Sequence, residues 1–319
     1  MKPKIICLTP VKNEAWILRM FLKSVSLWAD HIIIADQGST DGSIEIAKSF
    51  PKVTLIHNSS KEFNEETRQK LLLEEGRKIE GPRLFIALDA DELISANYMN
   101  SSEWEQLQFV EPGTVIQFRL INLRPDMKTC WSPDYNFNIG YMDDGASHSG
   151  NVIHTSRVPV NNQKKSILLK DIKLLHYQFT DWDRMKSKHR WYQCFELVSG
   201  EKHPVSIYRQ YHHMYSIPPK ELFPACEEWF EGYEKKGIKV RVVHKEGTYY
   251  WDRLVEDYLS QYGTKYFQSL NLWEDQFSAT DSRGPLWKGI HHYLKKTQPI
   301  SHWMGIRGMD FILKRLVKR

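Results

Sequence analysis

Cysteine is scarce and unpaired in this sequence. Four residues (Cys7, Cys130, Cys194 and Cys226) are scattered over 319 positions without a CxxC pair. That excludes a disulfide scaffold and a cysteine zinc site, and fits reduced, buried thiols. Long hydrophobic runs are also missing: nothing approaches the roughly 18 apolar residues of a membrane-spanning helix. The apolar stretch 5–8 is too short for the core of a signal peptide, so the chain is expected to stay in the cytoplasm. Internal repeats and low-complexity linkers are absent.

An excess of one charge sign is nearly absent too. The net charge is only +5, and its placement is uneven: the segment 286–319 carries eight Lys or Arg against one Asp, leaving the rest of the chain at −2. This excludes a uniformly basic nucleic-acid-binding face and leaves a basic tail suited to an anionic surface. Hydrophobic residues at 41% and charged residues at 26% lie in the globular range, against extended disorder. Aromatics, at 13%, are the one excess. They fill cores, stack on sugar faces or sit at membrane interfaces.

The first hundred residues alternate β-rich runs with helical patterns. Strands are expected at 4–8, 31–35, 53–57 and 83–88, with helices at 13–28, 41–50 and 64–79 between them; Ile17, Leu18, Phe21, Leu22, Val25 and Trp28 recur at three- and four-residue spacing. This order predicts an α/β fold with a doubly wound, mostly parallel sheet. Farther on, the spacing predicts a strand at 114–123, a polar loop over 126–156, a strand pair over 166–179 that ends at His176, and a helix at 181–198. A mainly helical region follows a soft boundary near Pro218, giving domains 1–218 and 219–319.

Ligands of doubly wound sheets gather beyond the carboxyl ends of the strands. The polar residues there are 9–14, 36–41 and 89–92. In Asp89-Ala90-Asp91-Glu92, Asp89 and Asp91 stand two apart on an extended chain and can address one ligand. Paired carboxylates suit a hard divalent cation, although short acidic triplets also cap helices. Asp41, with Ser39 or Thr40, can cap the following helix, whereas Asp36 is free to accept hydrogen bonds from a base or ribose. The helix 181–198 carries Arg184, Lys186, Lys188, His189 and Arg190, a cluster that can meet phosphates or form a solvated face. The tail from Pro299 onward interleaves Trp303, Met304, Ile306, Met309, Phe311, Ile312, Leu313, Leu316 and Val317 with basic residues. Such a composition suits an interfacial amphipathic helix or a helix docked on the core.

The run Leu8-Thr9-Pro10-Val11-Lys12-Asn13-Glu14, the turn from Asp36 to Ser43 and the triplet Asp89-Ala90-Asp91, in this order and spacing, resemble the family 2 glycosyltransferases. The likeness covers roughly the first 95 residues, with a weaker echo to about Tyr192. It implies a GT-A fold, with a nucleotide-binding half at about 1–95 and an acceptor half at about 96–218. The implied activity is inverting transfer of a sugar from a nucleotide-diphosphate donor, UDP by family habit. The acceptor would be a glycan or a lipid-linked one, as in bacterial surface polysaccharide or lipopolysaccharide synthesis. Carried over residue by residue, Thr9, Pro10 and Glu14 would line the nucleotide pocket and Asp36 would bind the base. Arg68 would lie near the ribose or phosphates, or else be a solvated helix residue. Asp89 would contact the ribose or the metal's water shell, and Asp91 would ligate Mn2+ or Mg2+. His176 would complete the metal site, its nitrogen tilting preference toward Mn2+.

Inverting transfer needs a general base for the acceptor hydroxyl. Where many relatives carry an acidic residue shortly before the His strand, this sequence has His154-Thr155. Asp144, then Asp143 and His154, are the expected substitutes. No nucleic-acid partner is expected, and the basic tail can hold the protein peripherally on an anionic membrane. Two other readings carry signatures of their own. A sugar-nucleotide nucleotidyltransferase would need a Gly-rich, Arg-bearing loop where residues 9–14 stand. A non-catalytic scaffold of the same fold would show a damaged triplet, and this one is intact.

Overall fold

Residues 2–60, 63–153, 155–160, 165–200, 202–245, 247–273 and 280–317 are described in the computed structural model. By Cα proximity the chain forms two units, Met1–Thr180 with Phe223–Lys245, and Asp181–Leu222 with Glu246–Arg319. The division is discontinuous, where the sequence suggested one boundary near Pro218.

The first unit opens with β1 (Lys4–Val11), α1 (Ala15–Val25), β2 (His31–Asp36), α2 (Ser43–Lys48), β3 (Val53–His57), α3 (Glu65–Arg77) and β4 (Arg83–Ala87). β4, β1, β2 and β3 pair in parallel in that spatial order. Their sequences are near-continuous apolar runs because helices cover both faces. Alternate side chains divide between two core clusters. Ile6, Leu8, Ile33, Phe85 and Ala87 pack with Leu72 and Leu73 of α3, whereas Cys7, Ile32, Ile34, Leu84 and Ile86 join the cluster of Ile17, Leu18, Phe21 and Leu22 of α1. Gly76 lets α3 approach closely: a Cβ there would lie 2.7 Å from Phe85 Cε1.

The sheet then becomes mixed. β5 (Glu92–Ile94), α4 (Ser102–Gln106), β6 (Val115–Leu123), β7 (Thr129–Trp131), β8 (Asn136–Met142) and β9 (Ser166–His176) follow. β8 lies between β4 and β6 and is antiparallel to both. The expected polar loop 126–156 thus contains a core strand. β9 is a single strand, parallel to β6 with a register shift at Phe118/Arg119 and antiparallel to β5, where a strand pair was expected. Later in the chain β10 (Phe223–Pro224) pairs with β7.

The second unit is helical: α5 (Trp182–Ser199), α6 (Pro204–Tyr211), α8 (Tyr250–Tyr262), α9 (Pro285–Thr297) and α10 (Met304–Leu316). The intervening α7 (Glu228–Glu234) belongs to the first unit, where the Tyr233 hydroxyl donates to Ile94 O at 2.7 Å. Asp181 caps α5 by accepting from Asp183 N and Arg184 N, and Gly200 ends it with φ 72°. One core joins Cys194 and Leu197 to Ile207, Val255, Leu259 and Phe267. Another joins Val205 and Tyr208 to Trp287, Ile290 and Leu294.

Candidate functional site

The carboxyl edge of the parallel strands gathers three segments: the β1–α1 loop, the β2–α2 turn and the residues following β4. Asn13 adopts φ 56°, a left-handed conformation that asparagine tolerates. From there it laces the first two segments together. Its N–H donates to Ser39 Oγ at 2.9 Å, and its side-chain oxygen accepts from Thr40 N at 2.8 Å. Glu14 N donates to Ser43 Oγ and Ala15 N to Asp41 Oδ2, at 2.9 and 2.8 Å. Asp41 therefore serves the first turn of α1 as well as its own turn, where it accepts from Ser43 N at 3.0 Å.

Asp36 ends β2 with 3% of its surface exposed. Its Oδ2 accepts from Gly38 N and Ser39 N at 3.0 and 3.1 Å, while Oδ1 is buried without a partner. A buried carboxylate oxygen with no donor is costly to keep and is fit to receive one. Thr9 and Pro10 are buried within β1. The Thr9 hydroxyl lies 3.4 Å from Cys7 Sγ, and burial pushes that thiol up to about 12. Glu14 is half-buried and accepts from Trp16 Nε1 at 2.6 Å. Arg68 sits in the first turn of α3, 3.9 Å from Glu65 and 5.8 Å over the Phe63 ring, and its Nε is buried without a partner.

Beyond β4, Asp91 is buried and its Oδ1 lies 3.8 Å from His176 Nε2. His176 reaches it because β9 pairs with β5 so that His176 stands opposite Glu92. Asn122, beside it on β6, fixes the ring through Nδ1 at 2.9 Å. A single cation bound about 2.1 Å from each could touch both atoms, so this pair fits two ligand positions. Asp89 is turned elsewhere. Arg157 donates to Asp89 Oδ2 at 2.8 Å and to both Glu92 oxygens, one at 2.9 Å, while Asp89 N donates to Glu92 Oε2 at 3.0 Å. Burial pushes the Glu92 carboxyl up, with Arg157 opposing. Burial also works against the Arg157 charge, yet Asp89 and Glu92 hold the guanidinium firmly protonated. Among the described residues, no three His, Cys, Asp or Glu side chains converge as a complete ligand set.

Arg157 is the residue that sequence reasoning missed. It lies in an irregular segment with no periodicity to mark it. The segment is tied to the start of α3, where Glu65 accepts from Thr155 N at 3.0 Å and donates its own N–H to Val152 O at 2.9 Å. Asn122 left a faint signal, as a polar residue inside the apolar run of β6.

The structure does not bring Asp143 or Asp144, two of the expected bases, to this edge. Since β8 runs antiparallel to β4, it delivers Asp143 beside Arg83, the first residue of β4, where Asp143 N donates to Arg83 O at 2.9 Å. Asp143 and Asp144 thus lie at the amino edge, about 20 Å along the strand from Asp89 at the strand rise per residue. The Asp143 carboxylate is closed to solvent and held by Arg77 at 2.9 Å and Arg83 at 3.0 Å. Asp144 accepts from the Tyr141 hydroxyl and from Ala146 N. His154, the third expected base, falls outside the described residues. In the second unit the basic cluster of α5 is folded inward. Arg184 is buried over the Trp251 ring at 4.6 Å, and Arg190 pairs with Asp252 at 2.9 Å.

Residues 6–99 match the family profile described as Glycosyl transferase family 2. Among solved structures, the chain is similar to S. aureus TarS 1–349, at 12% identity over 95% of this chain and 92% of that one, with a TM-score of 0.38. It is also similar to glucosyl-3-phosphoglycerate synthase from Mycobacterium tuberculosis, solved with Mn2+, UDP and phosphoglyceric acid, at 17% identity over 38% of this chain and 43% of that one, TM-score 0.26. A mycobacterial protein aligns at 16% identity over 39% and 42% of the two chains, TM-score 0.28. The match spans less than half the length of the two mycobacterial proteins. The match to the family profile is confined to residues 6–99.

Proposed function

Because residues 6–99 match the profile of glycosyl transferase family 2, we propose that the protein transfers a sugar, with inversion, from a nucleoside-diphosphate donor to a hydroxyl of a glycan or lipid-linked acceptor. The observation that carries this reading is the meeting of Asp91 with His176 at the carboxyl edge of the parallel strands. That is where a doubly wound sheet receives its ligand.

In this proposal the laced loops after β1 and β2 receive the nucleoside. The unpartnered Oδ1 of Asp36 accepts an N–H of the base, and a uracil, which offers one such donor, suits it. Arg68, with its unpartnered Nε, approaches the diphosphate. Asp91 and His176 are the residues that would hold Mn2+ or Mg2+. A divalent ion so held would supply positive charge to the leaving diphosphate. Asn122 keeps His176 Nε2 directed toward Asp91, and Arg157 holds Asp89 and Glu92 in fixed positions. Asp143 and Asp144 have no part in proton removal, since they stand at the other end of β4.

The test is release of nucleotide from UDP-, GDP- and dTDP-sugars by purified protein, with Mn2+ and after chelation. Hydrolysis of one donor, dependent on the ion, is expected. Release that persists unchanged after chelation would remove the metal from the proposal, and no release from any sugar nucleotide would overturn the transferase itself.

A further inference from the structure

α10 turns Asp310 inward, on the side of Leu313 and Val317. Asp310 is its one buried residue, 8% exposed, and it receives both ends of the Arg209 guanidinium, at 2.8 Å on Oδ2 and 2.9 Å on Oδ1, with the Tyr293 hydroxyl at 3.3 Å. Leu313 and Val317, on the same side, pack against the cluster of Val205, Tyr208, Trp287, Ile290 and Leu294. This ion pair fixes the rotation of the helix about its axis. Rolling the outer face inward would strip Arg209 of its carboxylate, a costly exchange at a half-buried site.

The outer face that results is unusual for a water-facing helix. Met304 is 89% exposed and Leu316 74%, and Trp303, Met309, Phe311 and Ile312 are exposed as well. Within α10 this apolar sector is bordered by exposed Arg307, Lys314 and Arg315, the last stacked over the Phe311 ring at 4.2 Å. Lys318 and Arg319 follow in the sequence. Exposed apolar residues clustered on one short helix, as here, mark an interaction site. Its charged border selects the partner: two copies of the helix packed face to face would oppose like charges, whereas an anionic lipid surface would neutralise them. No helix among the described residues is long and apolar enough to cross a membrane.

We propose that α10 is a docking helix for an anionic phospholipid surface, lying parallel to it with Met309, Ile312 and Leu316, which share one face at three- and four-residue spacing, inserted shallowly and its basic residues at the headgroups. The inference is independent of the transferase reading, because binding requires no sugar nucleotide.

The test is co-sedimentation of the full chain with vesicles of phosphatidylcholine alone and of phosphatidylcholine mixed equally with phosphatidylglycerol, at low and high salt and without donor. Binding is expected only with the anionic vesicles and should weaken as salt rises. Met309→Ser/Ile312→Ser/Leu316→Ser and Lys314→Glu/Arg315→Glu should each lower the partition coefficient at least about tenfold while keeping the melting temperature, since none of these side chains is buried. Should the triple variant lose its fold, Leu316→Ser alone and the charge variant carry the test. Wild-type protein that stays in the supernatant would overturn the proposal. So would variants that bind as well as wild type, or light scattering that shows a dimer which the triple variant dissolves.

Discussion

Replacing Asp143 with alanine should cost stability and spare catalysis. The carboxylate is fully closed to solvent and accepts from Arg77 Nη2 and Nε, Arg83 Nε and Gly145 N, all between 2.9 and 3.2 Å. Removing one partner of a fully buried ion pair costs about 3–5 kcal/mol, because the remaining charge is stranded. Arg77 and Arg83 retain 24% and 22% of their side-chain exposure, and each keeps a carbonyl, Ala146 O at 2.7 Å and Ile79 O at 2.8 Å. Water and these carbonyls relieve part of the loss, so the expected cost is about 2–3 kcal/mol. In a unit of about 200 residues that lowers the melting temperature by about 4–12 °C. Asp143→Asn should cost as much, since its amide nitrogen would face a guanidinium. Scanning calorimetry of the full chain, paired with donor turnover measured below both transitions, provides the assay. A melting temperature within about 1 °C of wild type, together with a fall in kcat of about a hundredfold, would make Asp143 a reacting group and refute the argument.

Asp91→Ala should abolish transfer in protein that remains folded by circular dichroism, while His176→Ala should raise the Mn2+ concentration that gives half-maximal rate; if that concentration stays put, His176 is structural. Asp36→Asn exchanges a charged acceptor for a donor and should weaken UDP binding about 10–100-fold by calorimetry, with equal affinities removing Asp36 from the nucleotide site. Gly76→Ala drives a methyl group to within 2.7 Å of the buried Phe85 ring and 3.2 Å of Leu8 Cδ2, and should destabilise by about 1–3 kcal/mol, offset by less than about 1 kcal/mol from helix propensity. Burial lowers His212 to about 3 and His291 to about 4. Both are neutral in the fold but take up protons below about pH 6.5 once unfolded. Their stabilisation is therefore complete above that pH and drains as pH falls toward 4, by up to about 1.4 kcal/mol per pH unit for each histidine. Urea melts across pH 4–7 should show that slope and His291→Gln should reduce it, whereas a flat wild-type profile would contradict the burial argument.

The β1 to β4 half of the sheet was legible because strands buried on both faces are written as unbroken apolar runs and α1 as a regular apolar spacing. The rule that ligands collect at carboxyl ends then pointed to Asp36 and Asp89–Glu92 without further help. β8 was missed although its residues carry a strand's period: Asn136, Asn138 and Gly140 alternate with Phe137, Ile139 and Tyr141. The run is short, and the segment is held by partners distant in sequence. Gly140 is there because Ile116 and Ile86 crowd it: a Cβ would meet Ile116 Cβ at 2.8 Å and Ile86 Cδ1 at 3.0 Å. Without that strand, Asp143 and Asp144 read as loop residues available as bases, whereas the structure sets Asp143 beside Arg83 at the start of β4. Arg157 had no local signature, because its role depends on a loop tied to α3. The orientation of α10 was equally hidden, since an amphipathic composition reads the same whichever face is turned in, and only the pairing of Asp310 with Arg209 decides it.

The cross-bonding of the β1–α1 loop with the β2–α2 turn bears on how donor choice can be changed. Asn13, Glu14 and Ala15 depend on Ser39, Ser43 and Asp41, and Thr40 depends on Asn13. Neither segment can be exchanged by itself without leaving backbone donors of the other unsatisfied. If the proposed transferase reading holds, donor preference on this scaffold would therefore behave as a two-piece cassette. Grafting residues 9–15 or residues 36–43 singly from a relative would break the joint, and grafting both would carry it across intact.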